Sequence, residues 1–398
     1  MEEHYQHLYH ALSQVDGFIY PNEVDLHWGL MIVLYPYITG LVAGAFILAS
    51  LERVFNIKVL KPTYGLALLT ALSFLLVATL PLVSHLTNPL RAYEILMTPN
   101  PTSAMAIFGF VYLWYLMVVL LLEIWFDYRL DFVLWSKTSK GFKKFFYKII
   151  TLGINDTDEK SAKLDDKLGY FITVLGIPSA FILHGYVGFI FGSVKANPWW
   201  STVLMPVIFL FSAMVSGIAL VMVIYMIVSW VRKVKIDMLC LDTIAKYLFY
   251  ILILDFTLES LDQIHRLYEA EESFDIITVL VGGKLNITLL VMQIFLGTVI
   301  PLGVIGLFQI YKPSEKIRTI SYFIIGILVL IGIFFMRWNV VIGGQLFSKS
   351  LSGFTTFNAV FTGLEGYIMM AVWLILPILI LTFLLWLMPP WKKAPVPS

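Results

Sequence analysis

Charge and cysteine are what this sequence has least of. Only 13% of its 398 residues are Asp, Glu, Lys or Arg, while 59% are hydrophobic. A soluble domain carries about twice that share of charge. With a mean hydropathy of +0.86, the chain reads as an integral membrane protein of many spans. A single cysteine, Cys240, excludes an internal disulfide framework and a cysteine-ligated iron–sulfur cluster. CxxCH, GxxxxGK[ST] and HExxH are all missing, which removes covalent haem, a P-loop and a zincin-type metal site. No metal site is expected. The net charge of +1 and the want of a basic patch give no footing to nucleic acid. Residues 1–28 are polar and acidic without a basic start, so no cleavable signal peptide is expected and the first span should act as its own insertion signal.

What is present is a series of apolar runs. About 20 apolar residues cross a bilayer as a helix, and nine such runs occur, at 29–52, 63–84, 104–127, 168–192, 201–231, 241–262, 286–311, 319–337 and 364–388. Residues 271–283 and 338–362 are too short or too broken to span and read as outer loops. Segment 128–167 is the one sizeable inner loop, with lysines that can touch anionic lipid. Positive charge marks the inner side of a membrane. With the N-terminus outside, 20 of the 27 cations fall inside: Arg53, Lys58 and Lys61, nine between Arg129 and Lys167, Arg232, Lys233 and Lys235, Lys312, Lys316 and Arg318, and Lys392 and Lys393. Arg91, Lys195, Arg266, Lys284, Arg337 and Lys349 fall outside, and Lys246 within a span.

The polar exceptions carry the functional signal. His4, His7, His10, His27, His85, His184 and His265 all lie outside or in the outer part of a span. At 1.5 Å per residue, His184 stands about 24 Å above the inner end of its run. Histidine takes and gives protons near neutral pH, so proton chemistry near the outer face is one reading and wetted interfacial histidines the other. Ionisable side chains within spans are costly and usually functional. Glu123 sits near the inner end of the third run, where snorkelling is the alternative. Asp255, Glu259 and Asp262 share one stripe of the sixth run, either a proton path or the wet end of a helix. Asp242 and Lys246, four residues apart, are placed to pair. Gly40 and Gly44, Gly188 and Gly192, and Ser212, Ala213, Ser216 and Gly217 read as close helix contacts. Trp199 and Trp200, after the turn Lys195–Asn197–Pro198, read as anchors in an aromatic belt.

Several stretches resemble the NrfD/PsrC family, the polysulfide-reductase-type membrane subunits. "LYPYITGLVAGAFILASL" is similar to the family's opening helix, and "NPLRAYEILMTPNPTSAMAIFGFVY" to its third region, with Pro-x-Arg and Pro-Asn-x-Thr-Ser turns. The tyrosine and glycine of "HGYVGF", followed by Pro-x-Trp and then Pro206, Phe209, Ser212, Ala213 and Gly217, match the family's fourth helix and the segment after it. "MRWNVVIGGQ" at 336–345 looks like the DsrP, HybB and QrcD branch.

The resemblance implies an all-α, multi-pass protein of a prokaryotic plasma membrane, about nine helices built as two four-helix bundles plus an extra helix. The expected units are an outer segment 1–28, a first bundle 29–192, a second bundle 201–337, and 338–398 with the last span. The implied function is electron exchange between menaquinone or menaquinol and a four-cluster ferredoxin-like iron–sulfur subunit on the outer face, within a larger redox complex, without haem or cluster in this chain. Tyr186 matches the family's quinone-site tyrosine, and His27 a histidine near the first helix. Many relatives have Asp-Leu where this chain has His85-Leu86, so a role of that aspartate passes to His85 or is lost.

Quinol oxidation releases two electrons and two protons and needs acceptors at both oxygens. His184, Tyr186, His85 and His27 are the candidates. Tyr186 is expected at the headgroup, with His184 as a second ligand or first proton relay. Arg91 and Arg337, expected near the outer surface, would hold a developing quinolate or dock the iron–sulfur partner. Asp255, Glu259 and Glu123 are the candidate proton path, with proton translocation as an accompanying expectation. Two other classes stay open: a b-type cytochrome using His85 and His184, and an ion-coupled transporter built on the sixth-run carboxylates.

Overall fold

The computed structural model describes residues 2–98, 100–269 and 273–391, so Lys392 and Lys393 lie outside the described residues. The apolar runs fold as helices because lipid offers the backbone no hydrogen-bond partner. A short helix α1 (Glu2–Leu12) and strand β1 (Asp16–Gly17) lead to α2 (Leu30–Arg53). Then come α3 (Lys61–Ala78), α4 (Leu80–His85) and a single turn, α5 (Glu94–Met97). The next helix begins as α6 (Ala104–Trp114), loosens into a π-helical stretch (Tyr115–Leu121) and continues as α7 (Leu122–Thr138). After α8 (Gly141–Ile150) come the long α9 (Glu159–Gly192), α10 (Met205–Val231) and α11 (Met238–Glu269). Helix α12 (Phe274–Gly282) precedes a second π-helical stretch (Asn286–Val299) that runs into α13 (Ile300–Ile310). Helix α14 (Glu315–Val341), strand β2 (Gly353–Phe354) and α15 (Tyr367–Leu387) come last.

Eight helices or helix pairs are long and apolar enough to cross a membrane. Helix α11 is equally long, holds the expected sixth span and packs on α10, α13 and α14, but carries Asp242, Lys246, Asp255 and Glu259 along its length. The protein is thus an all-α, multi-pass membrane protein.

Helices in lipid gain little from hydrophobicity against one another and associate through close packing of small residues. Helix α2 occupies the centre, flanked by α3, α9, α10 and α14. Its crossing with α10 is so close that a Cβ on Gly217 would stand 2.4 Å from Gly44 and Ala45 backbone atoms. Helices α10, α11, α13 and α14 with the second π-helical stretch form one neighbourhood, and α2, α3, α7 and α9 another. Helix α15 lies outside, against α3, with most of its surface turned outward.

Two ends are defined by the loop contacts. At one, the N-terminal face, β1 pairs antiparallel with β2, Gln345 bonds the Trp28 backbone, and Asn197 Nδ2 donates to the Gly344 carbonyl. At the opposite face Tyr147 donates to the Leu387 carbonyl and Lys143 to that of Trp386.

Three local expectations are corrected. Segment 128–167 is mostly helix: α7 and α9 extend past the membrane-length apolar runs, held by a buried pair in which Arg129 Nε donates to Asp165 at 2.7 Å. Asp242 pairs with Arg318 rather than with Lys246, whose ammonium lies 5.8 Å from the Tyr250 ring centre. Helix α14 continues four residues beyond the expected end of the eighth span, through Val341. That last shift changes the environment of Arg337.

Candidate functional site

Helix α9 presents two of the candidate residues on different sides, as a two-residue separation on a helix requires. His184 points inward and is fully buried. Its ring packs under Gly40 of α2, where a Cβ would come within 3.1 Å, and stacks on Phe209 of α10. Arg337 Nη2 lies 3.0 Å from His184 Nε2. A guanidinium can only donate, so Nε2 is the acceptor and the ring proton sits on Nδ1. Nδ1 faces the Thr39 hydroxyl at 3.4 Å. Both ring nitrogens are therefore engaged within the protein.

Arg337 is itself fully buried at the meeting of α9, α10 and α14. It donates to the Ser212 hydroxyl at 2.7 Å and lies 4.0 Å over the Phe209 ring, while Nε has no partner. Asp255 and Glu259 on α11 act electrostatically on it from the far side. Asp255 is buried with Oδ1 unpaired. Glu259 accepts from Gln293 Nε2 at 3.1 Å, and Gln293 Oε1 accepts from Asn339 Nδ2 at 2.8 Å. A cavity of about 210 Å³ opens beside Glu259, Gln293 and Asn339. The third member of the stripe, Asp262, accepts from Thr202 and from Arg266, which also holds the Pro198 carbonyl. A buried cation with two carboxylates acting on it makes this an ionisable part of the interior.

Tyr186 faces the other way. It is half-buried, and its hydroxyl donates to the Ala104 carbonyl at the start of α6 at 3.0 Å. Tyr35 of α2 is its electrostatic neighbour and has a buried hydroxyl without a partner. Two phenols, one unsatisfied, can hold an oxygen of a flat ligand between α2, α6 and α9.

The remaining candidates are dispersed. His27 lines a separate cavity of about 340 Å³ on the N-terminal face, walled by Trp28, Trp200 and Gln345. His85 Nδ1 lies 2.7 Å from Glu365 at the start of α15. Arg91 is exposed and grips Glu94 through two hydrogen bonds. Glu123 is buried near the opposite face, accepting from Thr173 at 2.8 Å and Tyr64 at 3.2 Å, with Oε2 unpaired. The structure thus joins His184, Arg337, Asp255 and Glu259, and keeps His27, His85 and Tyr186 apart from that group.

Two expectations fail on burial. Arg337 does not reach the outer surface and cannot dock a partner, because α14 carries it a full turn inside the helix end. Trp199 and Trp200 are not lipid anchors. Both are buried, donating to the Asn339 and Val340 carbonyls at the end of α14, and Trp200 stacks on Trp28 at 5.1 Å. Gln293 and Asn339 had no part in the sequence reading. Amides inside or beside an apolar run were the available signal.

The profile of the family described as "Polysulphide reductase, NrfD" matches residues 21–349. A selenate reductase subunit of Mesobacillus selenatarsenatis is 36% identical over 211 residues, 52% of this chain and 49% of that protein. A putative dimethyl sulfoxide reductase membrane subunit of Halobacterium salinarum is 28% identical over 205 residues, 50% of this chain and 42% of that protein. Protein NrfD of Escherichia coli is 25% identical over 219 residues, 53% of this chain and 63% of that protein. The chain spans about half the length of the curated relatives it matches. A profile match that runs from the turn before α2 to the loop after α14 takes in the centre, the Arg337 cluster and the Tyr186–Tyr35 pair together: the chain belongs to the polysulphide reductase NrfD family.

Proposed function

We propose that this protein is the membrane subunit of an oxidoreductase complex that exchanges electrons between menaquinone or menaquinol and an iron–sulfur subunit on the N-terminal face. Family membership supports the coarse reading, as do the names of relatives that are subunits of selenate and dimethyl sulfoxide reductases. The observation that carries the finer reading is the division of labour on α9: Tyr186 half-buried with the unsatisfied Tyr35 hydroxyl as its neighbour, and His184 two residues away in the ionisable interior.

In this reading the quinol is the substrate and its headgroup binds beside Tyr186 and Tyr35. The Tyr186 hydroxyl, still donating to the Ala104 carbonyl, accepts the hydrogen bond of one quinol hydroxyl, while Tyr35 meets the same end of the ring. Oxidation sends two electrons to the docked iron–sulfur protein, a four-cluster ferredoxin-like subunit by the family resemblance, and releases two protons. His184 serves behind the site as a relay, not as a ligand, since both its nitrogens are taken up by Arg337 and Thr39. The Asp255–Glu259 pair gives a released proton carboxylates to occupy further inward, with Arg337 as their counter-charge and Glu123 as a separate group near the opposite face. Docking is supported by Tyr9, Phe18 and Tyr20, all more than half exposed in the N-terminal segment, since aromatic residues are enriched at interfaces.

The test is quinol-dependent electron transfer by the assembled complex. Tyr186→Phe and His184→Ala are each expected to lower it at least ten-fold, on the scale of a lost proton-transfer group. Unchanged quinol kinetics in both variants would sink the assignment. In liposomes, Asp255→Asn is expected to lower the number of protons taken up per electron, and unaltered stoichiometry makes the stripe structural.

A further inference from the structure

The opposite face holds an opening that electron exchange does not use. Between the end of α2, the start of α3 and the start of the apolar run of α9 lies a cavity of about 520 Å³, into which Arg53, Lys58, Lys61 and Lys167 all project. Two carboxylates also line it, and both are engaged. Glu52 lies 3.4 Å from the Lys58 ammonium. Asp166 lies 3.1 Å from Arg53, whose other nitrogen meets Asp127 at 3.0 Å. Among the described residues Lys61 and Lys167 have no ion-pair partner, so the cavity presents two unpaired ammonium groups from two different helices.

Their height relative to the bilayer narrows what would neutralise them. Lys61 opens α3 just ahead of its apolar run, and Lys167 is the last charged residue before the apolar run of α9 begins at Leu168. Both therefore stand where apolar surface gives way to water, the level of lipid headgroups. Directly along α9 from Lys167, the side chains of Leu168, Phe171 and Val174 are exposed on the membrane side. A soluble anion would use the lysines and ignore this apolar flank. A lipid uses both. Basic pockets between membrane helices on the cation-rich side are of the kind that hold anionic headgroups.

We propose that this cavity is a binding site for an anionic phospholipid, its phosphate held by Lys61 and Lys167 and its acyl chains laid along Leu168, Phe171 and Val174. Tyr170, exposed at the mouth, is placed to donate a hydrogen bond to the same headgroup.

The experiment is native mass spectrometry of the purified full chain, equilibrated with mixed micelles containing equal phosphatidylglycerol and phosphatidylcholine. Phosphatidylglycerol is expected to be retained in preference. Each cation near an anionic lipid contributes about five-fold in affinity, so Lys61→Gln/Lys167→Gln should weaken retention about 25-fold, on the product of the two factors. Both side chains are exposed, and the charge-preserving Lys61→Arg/Lys167→Arg variant is expected to keep the lipid. Lys195→Gln, on the N-terminal face, should change nothing. Equal retention of the two lipids by the native chain, or an equal loss in Lys195→Gln, overturns the proposal. Displacement of phosphatidylglycerol by inorganic phosphate, with phosphate itself then bound, overturns the lipid assignment in favour of a soluble anion.

Discussion

Replacing Arg337 with methionine tests whether this buried guanidinium exists to balance the acidic stripe of α11. Methionine keeps most of the volume and removes the charge. The native side chain donates to Ser212 at 2.7 Å and to His184 at 3.0 Å, and lies 4.0 Å over Phe209. Breaking one partner of a buried ionic set costs about 3–5 kcal/mol, mostly by stranding the charge left behind. Here the stranded groups are Asp255 and Glu259, the two carboxylates that act on Arg337. If they carry the cost, neutralising one should recover part of it. The expected result for Arg337→Met/Asp255→Asn is a recovery of about 1–3 kcal/mol relative to the sum of the single variants, the range seen for coupled neighbours. The assay is equilibrium unfolding in mixed micelles of mild detergent and dodecyl sulfate, followed by tryptophan fluorescence. Coupling below about 0.5 kcal/mol, the ordinary scatter for independent sites, would refute the idea. Arg337 would then owe its burial to Ser212, His184 and Phe209 alone.

Other expectations come from packing and capping. Gly217→Val drives a side chain into the α2 backbone and should cost about 1–3 kcal/mol or more, whereas Gly303→Ala in α13, with nothing within 4 Å, should be neutral or stabilising by up to about 1 kcal/mol; the same unfolding assay separates the two. Asp158, which precedes α9, has its carboxyl held below the ordinary carboxylate range by the Ser161 hydroxyl and nearby backbone N–H groups. A depressed value means that its support is present above the unfolded pKa and is lost as pH falls through the folded one. Amide exchange at Ala162, whose N–H bonds the Asp158 carbonyl, should therefore quicken only at pH below that at which a free aspartate protonates. Quickening at ordinary carboxylate pH would contradict the depression of the Asp158 carboxyl.

The helices were legible because lipid leaves apolar runs one outcome. Even α11 could be placed despite its charges, since apolar residues surround each of them. Small residues in α2 and α10 announced a close crossing, and Gly44 and Gly217 make it. What sequence periodicity cannot convey is which distant side chains meet. Thr39 and His184 are 145 positions apart, and His184 and Arg337 are 153. Helix α14 also runs four residues past the apolar run that ends at Arg337, which places Arg337 in the interior rather than at the surface. The clue was Asn339: a helix can run on past Arg337 where carbonyls such as those of Asn339 and Val340 find buried donors. Here those donors are the indoles of Trp199 and Trp200, residues that read as belt anchors because tryptophan after a turn most often faces lipid.

The two-residue ladder between β1 and β2 has a consequence for how the protein is made. Asp16 pairs with Phe354, and Gly17 with Gly353. A ribosome adding about 5–20 residues per second delivers the second strand on the order of 20–70 s after the first. During that interval the leading segment, with its exposed aromatic side chains, lacks its strand partner, and among the described residues Asp16 can be met earlier only by Lys284. The face it closes therefore takes shape only after every helix but α15 has been made. A chaperone or a nascent partner subunit that engages it would have to do so before the final helix has left the insertion machinery.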